Sequence, residues 1–198
     1  MNDAAGALVG YFGFGSLVNP NTLRTNYIES VPATLKGWKR HWESRNPIFK
    51  NEVALLSIHK NDDTDIKGMV VIDQLSHLAQ VDERETGYSR VKLRSSDLVL
   101  HTEKDLPEAL YVYVADTVDD EPGSGPLLQS YLDAVMQGFY LNFEEEGVRH
   151  FVDTTHGFAR PIIADRQNPR YPRHVQLSLA ECDLFDRELA RAGVIKFP

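Results

Sequence analysis

Ala7-Leu8-Val9-Gly10-Tyr11-Phe12-Gly13-Phe14-Gly15-Ser16-Leu17 begins as an apolar and aromatic run and ends in spaced glycines. Such a run, closed by turn residues, predicts a buried strand from Ala7 to Phe14. Gly13 and Gly15 let the backbone turn sharply and leave N–H groups uncovered. When such groups point together they form a cradle for an anion or an oxyanion. The same glycines also fit a plain strand-to-helix turn. Three other glycine loops do not fit. A Walker loop needs Gly-Lys-Ser/Thr at its end. A dinucleotide fingerprint needs a third Gly where Val18 stands and an acidic residue ~20 positions on, and Glu29 is about half that far from Gly15. Ser16 is not framed as the Gly-x-Ser-x-Gly of a nucleophile elbow.

Asn19-Pro20 follows, with Asn suited to a cap and Pro to a first turn, so a short helix is expected from Pro20 to about Tyr27. Strands are expected over Val31–Ser44, Val53–His59 and Ile66–Ile72, with Lys60–Asp65 as a hairpin tip. A helix capped by Ser76 runs to about Glu85. Tyr88–His101 and Ala109–Ala115 alternate as strands do. Asp119–Pro126 is a break. Leu127, Leu128, Tyr131, Leu132, Val135, Met136, Phe139, Tyr140 and Phe143 then recur at helical spacing and predict core packing. Phe158–Pro172 reads as an ordered loop. A last helix fits Leu179–Ala192, ended by Gly193. Strands first and a large helix late predict an α+β fold in a single domain of residues 1–198, with a core of about 7–147 and a C-terminal helical extension of about 148–198.

The expected helix ending in Val81-Asp82-Glu83-Arg84-Glu85 carries the second chemical feature. With Leu78 and Val81 facing inward, Glu85 falls four and seven residues later on that same face, while Glu83 and Arg84 point elsewhere. An inward carboxylate is costly unless it is paired or has a task. Burial raises its pKa toward neutrality, as a general base or acid–base shuttle requires. A structural pairing with an arginine satisfies it equally well.

The chain has 198 residues, 42% hydrophobic and 25% charged, which suffices for a core without staples. A net charge of −8 disfavours a nucleic-acid partner and an anionic membrane surface. An anionic metabolite is still accommodated by a local cluster of donors. No apolar stretch approaches the ~20 residues of a membrane span. Met1-Asn2-Asp3-Ala4-Ala5 lacks the basic and apolar features of a signal peptide, and the one cysteine, Cys182, fits a reducing compartment. A cytoplasmic location is therefore expected. Acidic neighbours Glu181 and Asp183 disfavour a thiolate at Cys182. His150, Asp153 and His156 stand three apart, yet no fourth ligand is evident and no metal is expected. Glu144-Glu145-Glu146 reads as a solvated face. Arg160, Arg166, Arg170 and Arg173 fit either substrate carboxylates or salt bridges to a surface with 29 acidic residues.

Taken in order and spacing, the two features resemble the gamma-glutamylcyclotransferase superfamily, including its ChaC-type members. Those proteins open with a strand leading into Tyr-Gly-Ser-Leu or Tyr-Gly-Ser-Asn, matched here by Phe14-Gly15-Ser16-Leu17. They later carry Leu-Asp-x-x-Glu, often followed by Gly and Tyr, matched by Val81-Asp82-Glu83-Arg84-Glu85 and then Thr86-Gly87-Tyr88. The resemblance spans roughly residues 8–145. It departs at Phe14, which lacks the usual hydroxyl, and at the single glycine before Tyr88.

The resemblance implies a mixed, partly closed β-barrel with surrounding helices. It implies Glu85 as the catalytic residue and a substrate site drawn from Gly13, Phe14, Gly15, Ser16, Leu17, Tyr88 and Tyr113, with Tyr111 an alternative to Tyr113. The implied reaction is cyclisation of a gamma-glutamyl amide, such as glutathione or a gamma-glutamyl peptide or amine, to 5-oxoproline and a free amine. It takes a small-molecule substrate and no metal or organic cofactor. A non-catalytic ligand-binding module on the same fold is the alternative.

Overall fold

The computed structural model describes residues 6–23, 26–43, 53–116 and 125–197. Its centre is β1 (Leu8–Gly13), the strand expected from the opening run. β1 lies between β3 (Leu55–Gln74), antiparallel to it, and β6 (Ala109–Ala115), parallel to it. Both faces of β1 are covered, which is why its sequence is continuously apolar rather than alternating. The remaining strands are β2 (Glu29–Glu43), β4 (Tyr88–Leu93) and β5 (Leu98–Leu100), and the sheet runs β4-β6-β1-β3-β2-β5. It is a mixed sheet and it stays open, with β4 and β5 at opposite ends.

Side chains of alternating parity divide the interior. Phe12, Val70, Ile72 and Val112 face the main apolar cluster, which holds Leu132, Val135, Met136 and Phe139 of α2 (Gln129–Asp153). Tyr11, Val71 and Tyr113 face a smaller cluster with Leu17 and with Val81 of α1 (Leu78–Arg84). A second, three-stranded parallel sheet joins β7 (Leu127–Leu128), β9 (Pro161–Ile163) and β10 (Ile195–Phe197). The two-residue β8 (Thr155–His156) pairs with β2. α3 (Leu179–Arg191) is capped reciprocally by Ser178 and Glu181, and places Leu184, Phe185 and Leu189 in the main cluster.

Several local expectations are corrected. Pro20–Thr22 forms one 3-10 turn, not a helix to Tyr27, because the Asn19 side chain is pulled onto α2, donating to Ala134 O (2.7 Å) and Gln137 Oε1 (3.1 Å). Lys60–Asp65 is not a hairpin tip. β3 runs through it, bulging where the register of β2 shifts between Lys36 and Trp38. Tyr88–His101 splits into β4, a 3-10 turn and β5. The expected break at Asp119–Pro126 falls largely outside the described residues. α2 is longer than expected and contains Glu144 at φ 56°, ψ −155°, which kinks it.

Arg40 staples the layers behind β1. It is fully buried, donates from Nε to Phe14 O (2.9 Å) and from Nη1 to Thr154 Oγ1 (2.9 Å), and reaches Lys67 O through Nη2. Its guanidinium lies over the Phe139 ring, 4.9 Å from the centroid. Burial lowers its pKa to about 9, so it stays charged at neutrality. Among the described residues, no helix is long and apolar enough to cross a membrane.

Candidate active site

β1 leaves the sheet after Gly13, paired with Met69, and turns at Gly15 into a 3-10 turn over Ser16–Val18. This turn is clamped to α2. Asn142 Nδ2 donates to Val18 O at 3.0 Å, and Asn19 holds Ala134 as above. Gly15 is a requirement of packing: a Cβ there would stand 2.8 Å from the Tyr131 hydroxyl.

α1 brings Glu85 to the same place. Val81 is 1% exposed and seats the helix on Tyr11, Val71 and Tyr113. Glu85 caps the helix, its N–H still donating to Val81 O at 2.9 Å. Gly87, at φ 90°, then reverses the chain into β4, a conformation that suits glycine. The motif's Asp82 accepts from the Tyr113 hydroxyl (2.6 Å) and from Arg90 Nη1 (2.8 Å), tying α1 to β4 and β6.

Phe14, Gly15, Ser16, Leu17, Glu85, Tyr88, Tyr113 and Tyr131 line one cavity beside the turn. Gly13 stays in the strand and is absent from that lining. Tyr113, not Tyr111, faces the cavity; the Tyr111 ring instead lies under Arg90, 4.8 Å from its guanidinium carbon. A second lobe of about 190 Å³ shares Ser16, Leu56, Glu85, Tyr88 and Tyr131 with the first. It extends to Leu128, Arg84, Tyr171 and Arg173. The two lobes form a cleft that meets at Glu85 and Tyr131.

Arg84 is a correction to the helix reading, which turned it away from Glu85. Its side chain is 11% exposed and that of Glu85 14%, and Nε donates to Glu85 Oε1 at 3.1 Å. Arg84 Nη1 donates to Thr22 O at 3.2 Å, linking α1 to the Pro20–Thr22 turn that follows the cradle. The side chain is long enough to curl back past its own helix end, which Cα geometry does not show. Burial raises the pKa of Glu85, and Arg84 and Arg173 reverse this only in part. Burial also lowers the pKa of Arg84, with the positive charge of Arg173 adding to it. The hydroxyl of Tyr113 is pushed up by burial and by Asp82. That of Tyr131 is pushed up by burial and by the neighbouring Tyr88, Tyr171 and Glu85, and the Ser16 backbone N–H opposes this in part.

The C-terminal arginines divide by task. Arg160 donates to three carbonyls, those of Gly157, Gly125 and Trp42. Arg166 bridges Asp133 (2.7 and 2.8 Å) and Asp186 (2.9 and 3.3 Å). Arg173 reaches the cleft. His150, Asp153 and His156 turn to separate neighbours: Lys67 N donates to His150, Arg191 pairs with Asp153, and the His156 ring lies against His41. Among the described residues, no cluster of three His, Cys, Asp or Glu side chains is arranged for a metal ion.

A cradle turn, a buried carboxylate of raised pKa and three lining tyrosines can hold a small polar molecule and move a proton on it. No protein-family model matches the sequence, and no curated protein matches it. Solved structures do match. A gamma-glutamyl cyclotransferase superposes with a TM-score of 0.55 at 14% identity, over 91% of this chain and 99% of that one. An uncharacterized protein from Homo sapiens gives 0.55 at 14% identity over 90% and 98%. YkqA from Bacillus subtilis gives 0.55 at 15% identity over 75% of this chain and 55% of that one. The chain therefore has the fold of the gamma-glutamyl cyclotransferases.

Proposed function

We propose that this protein is a gamma-glutamyl cyclotransferase that converts a gamma-glutamyl amide to 5-oxoproline and a free amine. One observation carries the reading: a carboxylate of raised pKa, Glu85, lines the same cavity as the turn Gly15-Ser16-Leu17. The substrate's own α-amino nitrogen attacks its γ-carbonyl carbon. The new C–N bond closes the ring, and the bond to the leaving nitrogen breaks.

The protein's first task is to fold the glutamyl chain so that nitrogen meets carbonyl, a proximity effect. The aromatic walls Phe14, Tyr88, Tyr113 and Tyr131 restrict the cavity to a bent substrate. The attacking ammonium sheds two protons on its way to the lactam N–H; Glu85 takes them in turn and passes each to the leaving nitrogen, which departs as an ammonium, so the proton count balances over the cycle. Amide N–H groups of Gly15, Ser16 and Leu17 stabilise the oxyanion that develops between the two steps. Tyr113, held by Asp82, keeps α1 in register with the sheet and so keeps Glu85 in place.

Glu85→Gln preserves shape but cannot accept a proton. Release of 5-oxoproline from glutathione, gamma-glutamyl dipeptides and gamma-glutamyl amines is the measurement. The wild-type protein turns over at least one of them, and Glu85→Gln loses about 10³-fold or more. Retained turnover in that variant overturns the role of Glu85, and a blank across the panel overturns the enzyme.

A further inference from the structure

Two guanidinium groups stand on one lobe of the cleft, in a chain whose net charge is −8. Arg84 comes from the end of α1. Arg173 comes from the C-terminal segment, far outside the two motifs. Like charges so placed repel each other, and such an arrangement persists where an anion is meant to lie between them. Glu85 answers one of the two positive charges. The other has no carboxylate of its own: among the described residues none pairs with Arg173, whose Nε donates to the Tyr171 hydroxyl at 3.1 Å and whose guanidinium carbon lies 5.5 Å from the Tyr171 ring centroid. Arg84 Nη2 is buried and has no hydrogen-bond partner there. The neighbouring Arg160 and Arg166, by contrast, are saturated by carbonyls and by aspartates.

A gamma-glutamyl group brings one ammonium and one α-carboxylate, which cancel. It leaves the surplus positive charge of the lobe unmatched. A second carboxylate, on the leaving-group side, matches it. That side of the substrate must lie toward Glu85, which protonates the departing nitrogen, and Arg84 Nε is 3.1 Å from Glu85 Oε1. The α-carboxylate of a departing amino acid is two bonds from that nitrogen, within reach of the same guanidinium. The wall opposite, Val53, Ala54, Leu55 and Leu128, is apolar and suits the side chain of that amino acid.

Building on the cyclotransferase reading, we propose that Arg84 and Arg173 form a carboxylate subsite for the leaving group. The preferred substrates are then gamma-glutamyl amino acids, with gamma-glutamyl amines disfavoured. Arg173 is the specificity-determining residue, since Arg84 also holds Glu85.

The test compares gamma-glutamylalanine with its C-terminal amide, which differ only in that charge. In the wild-type protein kcat/KM for the acid exceeds that for the amide about 10- to 100-fold, the range for a hydrogen bond to a charged group. In Arg173→Gln the ratio falls close to one. Arg173→Lys, which keeps the charge, restores part of it. A wild-type ratio near one, or a ratio unchanged in Arg173→Gln, overturns the subsite. A parallel loss on both substrates in Arg173→Gln, measured on the pH plateau above the acid limb of Glu85, overturns it too, since it would place Arg173 on the glutamyl α-carboxylate. Should neither compound be turned over, the cyclotransferase reading fails on its own. Calorimetric titration of the same pair then judges the subsite: equal affinities overturn it, and a preference for the acid that Arg173→Gln abolishes upholds it.

Discussion

Glu85 sits in a place that disfavours its charge, and this sets its behaviour with pH. Its folded pKa lies above the ordinary carboxylate value, with burial the main cause. The basic form does the work, so kcat/KM declines as pH falls through that raised pKa, at a pH above ~4.5. Arg173→Gln removes a cation that favours the charged form, and moves this acid limb to higher pH. The linkage has the opposite sign for stability. A carboxyl whose folded pKa is raised favours the fold while protonated, and that contribution is lost as pH rises through the folded value. At neutral pH the wild type bears the cost, even with Arg84 alongside. Glu85→Gln therefore melts no lower than wild type at pH 7 in scanning calorimetry, and the difference closes below ~pH 4.5. The inward direction of Glu85 was legible from its spacing to Leu78 and Val81. The pairing with Arg84 was not, because spacing gives the direction of a Cβ and not the path of a flexible side chain. The apolar stripe makes Tyr131 a core residue by its spacing. Nothing in a helical period shows that its hydroxyl ends at a loop more than a hundred residues earlier.

α2 contains a residue that its local chemistry does not favour. Glu144, at φ 56° and ψ −155°, occupies a region that glycine tolerates and other residues enter at a cost of about 1–3 kcal/mol. It is exposed, so its side chain gives little back. Glu144→Gly relieves the backbone and loses part of the gain to unfolded-state entropy, about 0.5–1 kcal/mol. A net stabilisation of about 1 kcal/mol raises the melting temperature by about 2–4 °C for a chain of this size. An unchanged or lower melting temperature overturns the strain at Glu144. Elements with a strong period were legible: β1, β6, α2 and α3 stand close to where the sequence put them. Those settled by tertiary contacts were not. Asn19-Pro20 carries good helix-start chemistry, yet Asn19 spends its amide on α2, and the helix never propagates. Lys60–Asp65 has the composition of a turn, and pairing with β2 on both sides draws it through as a bulge.

The molecule as a whole uses its C-terminal segment as structure and as lining. Phe185 is fully buried in the main cluster and Leu189 nearly so. Phe185→Ala is expected to cost about 3–5 kcal/mol, lowering the melting temperature by roughly 10 °C at about 2–4 °C per kcal/mol. A loss below about 1 kcal/mol in denaturant unfolding would show α3 to be an appendage. The α+β class was legible from strands preceding a long helix. The open sheet was not, since closure depends on strand twist and pairing at the edges, which the pattern of one chain does not encode. In the sequence Arg173 is one of four similar arginines. Only the path of the backbone separates the one that enters the cleft from those that brace it.

Tyr131 gives the cleft one more property. The Ser16 N–H lies toward the tyrosine oxygen and opposes in part the rise of its pKa. An arriving neutral carbonyl oxygen takes over a donor in use, and one hydrogen bond to a neutral oxygen is exchanged for another. Of the three cradle amides, that of Ser16 therefore adds little to initial capture. It becomes selective at the moment when the tetrahedral oxygen carries a full charge that a neutral phenol oxygen does not.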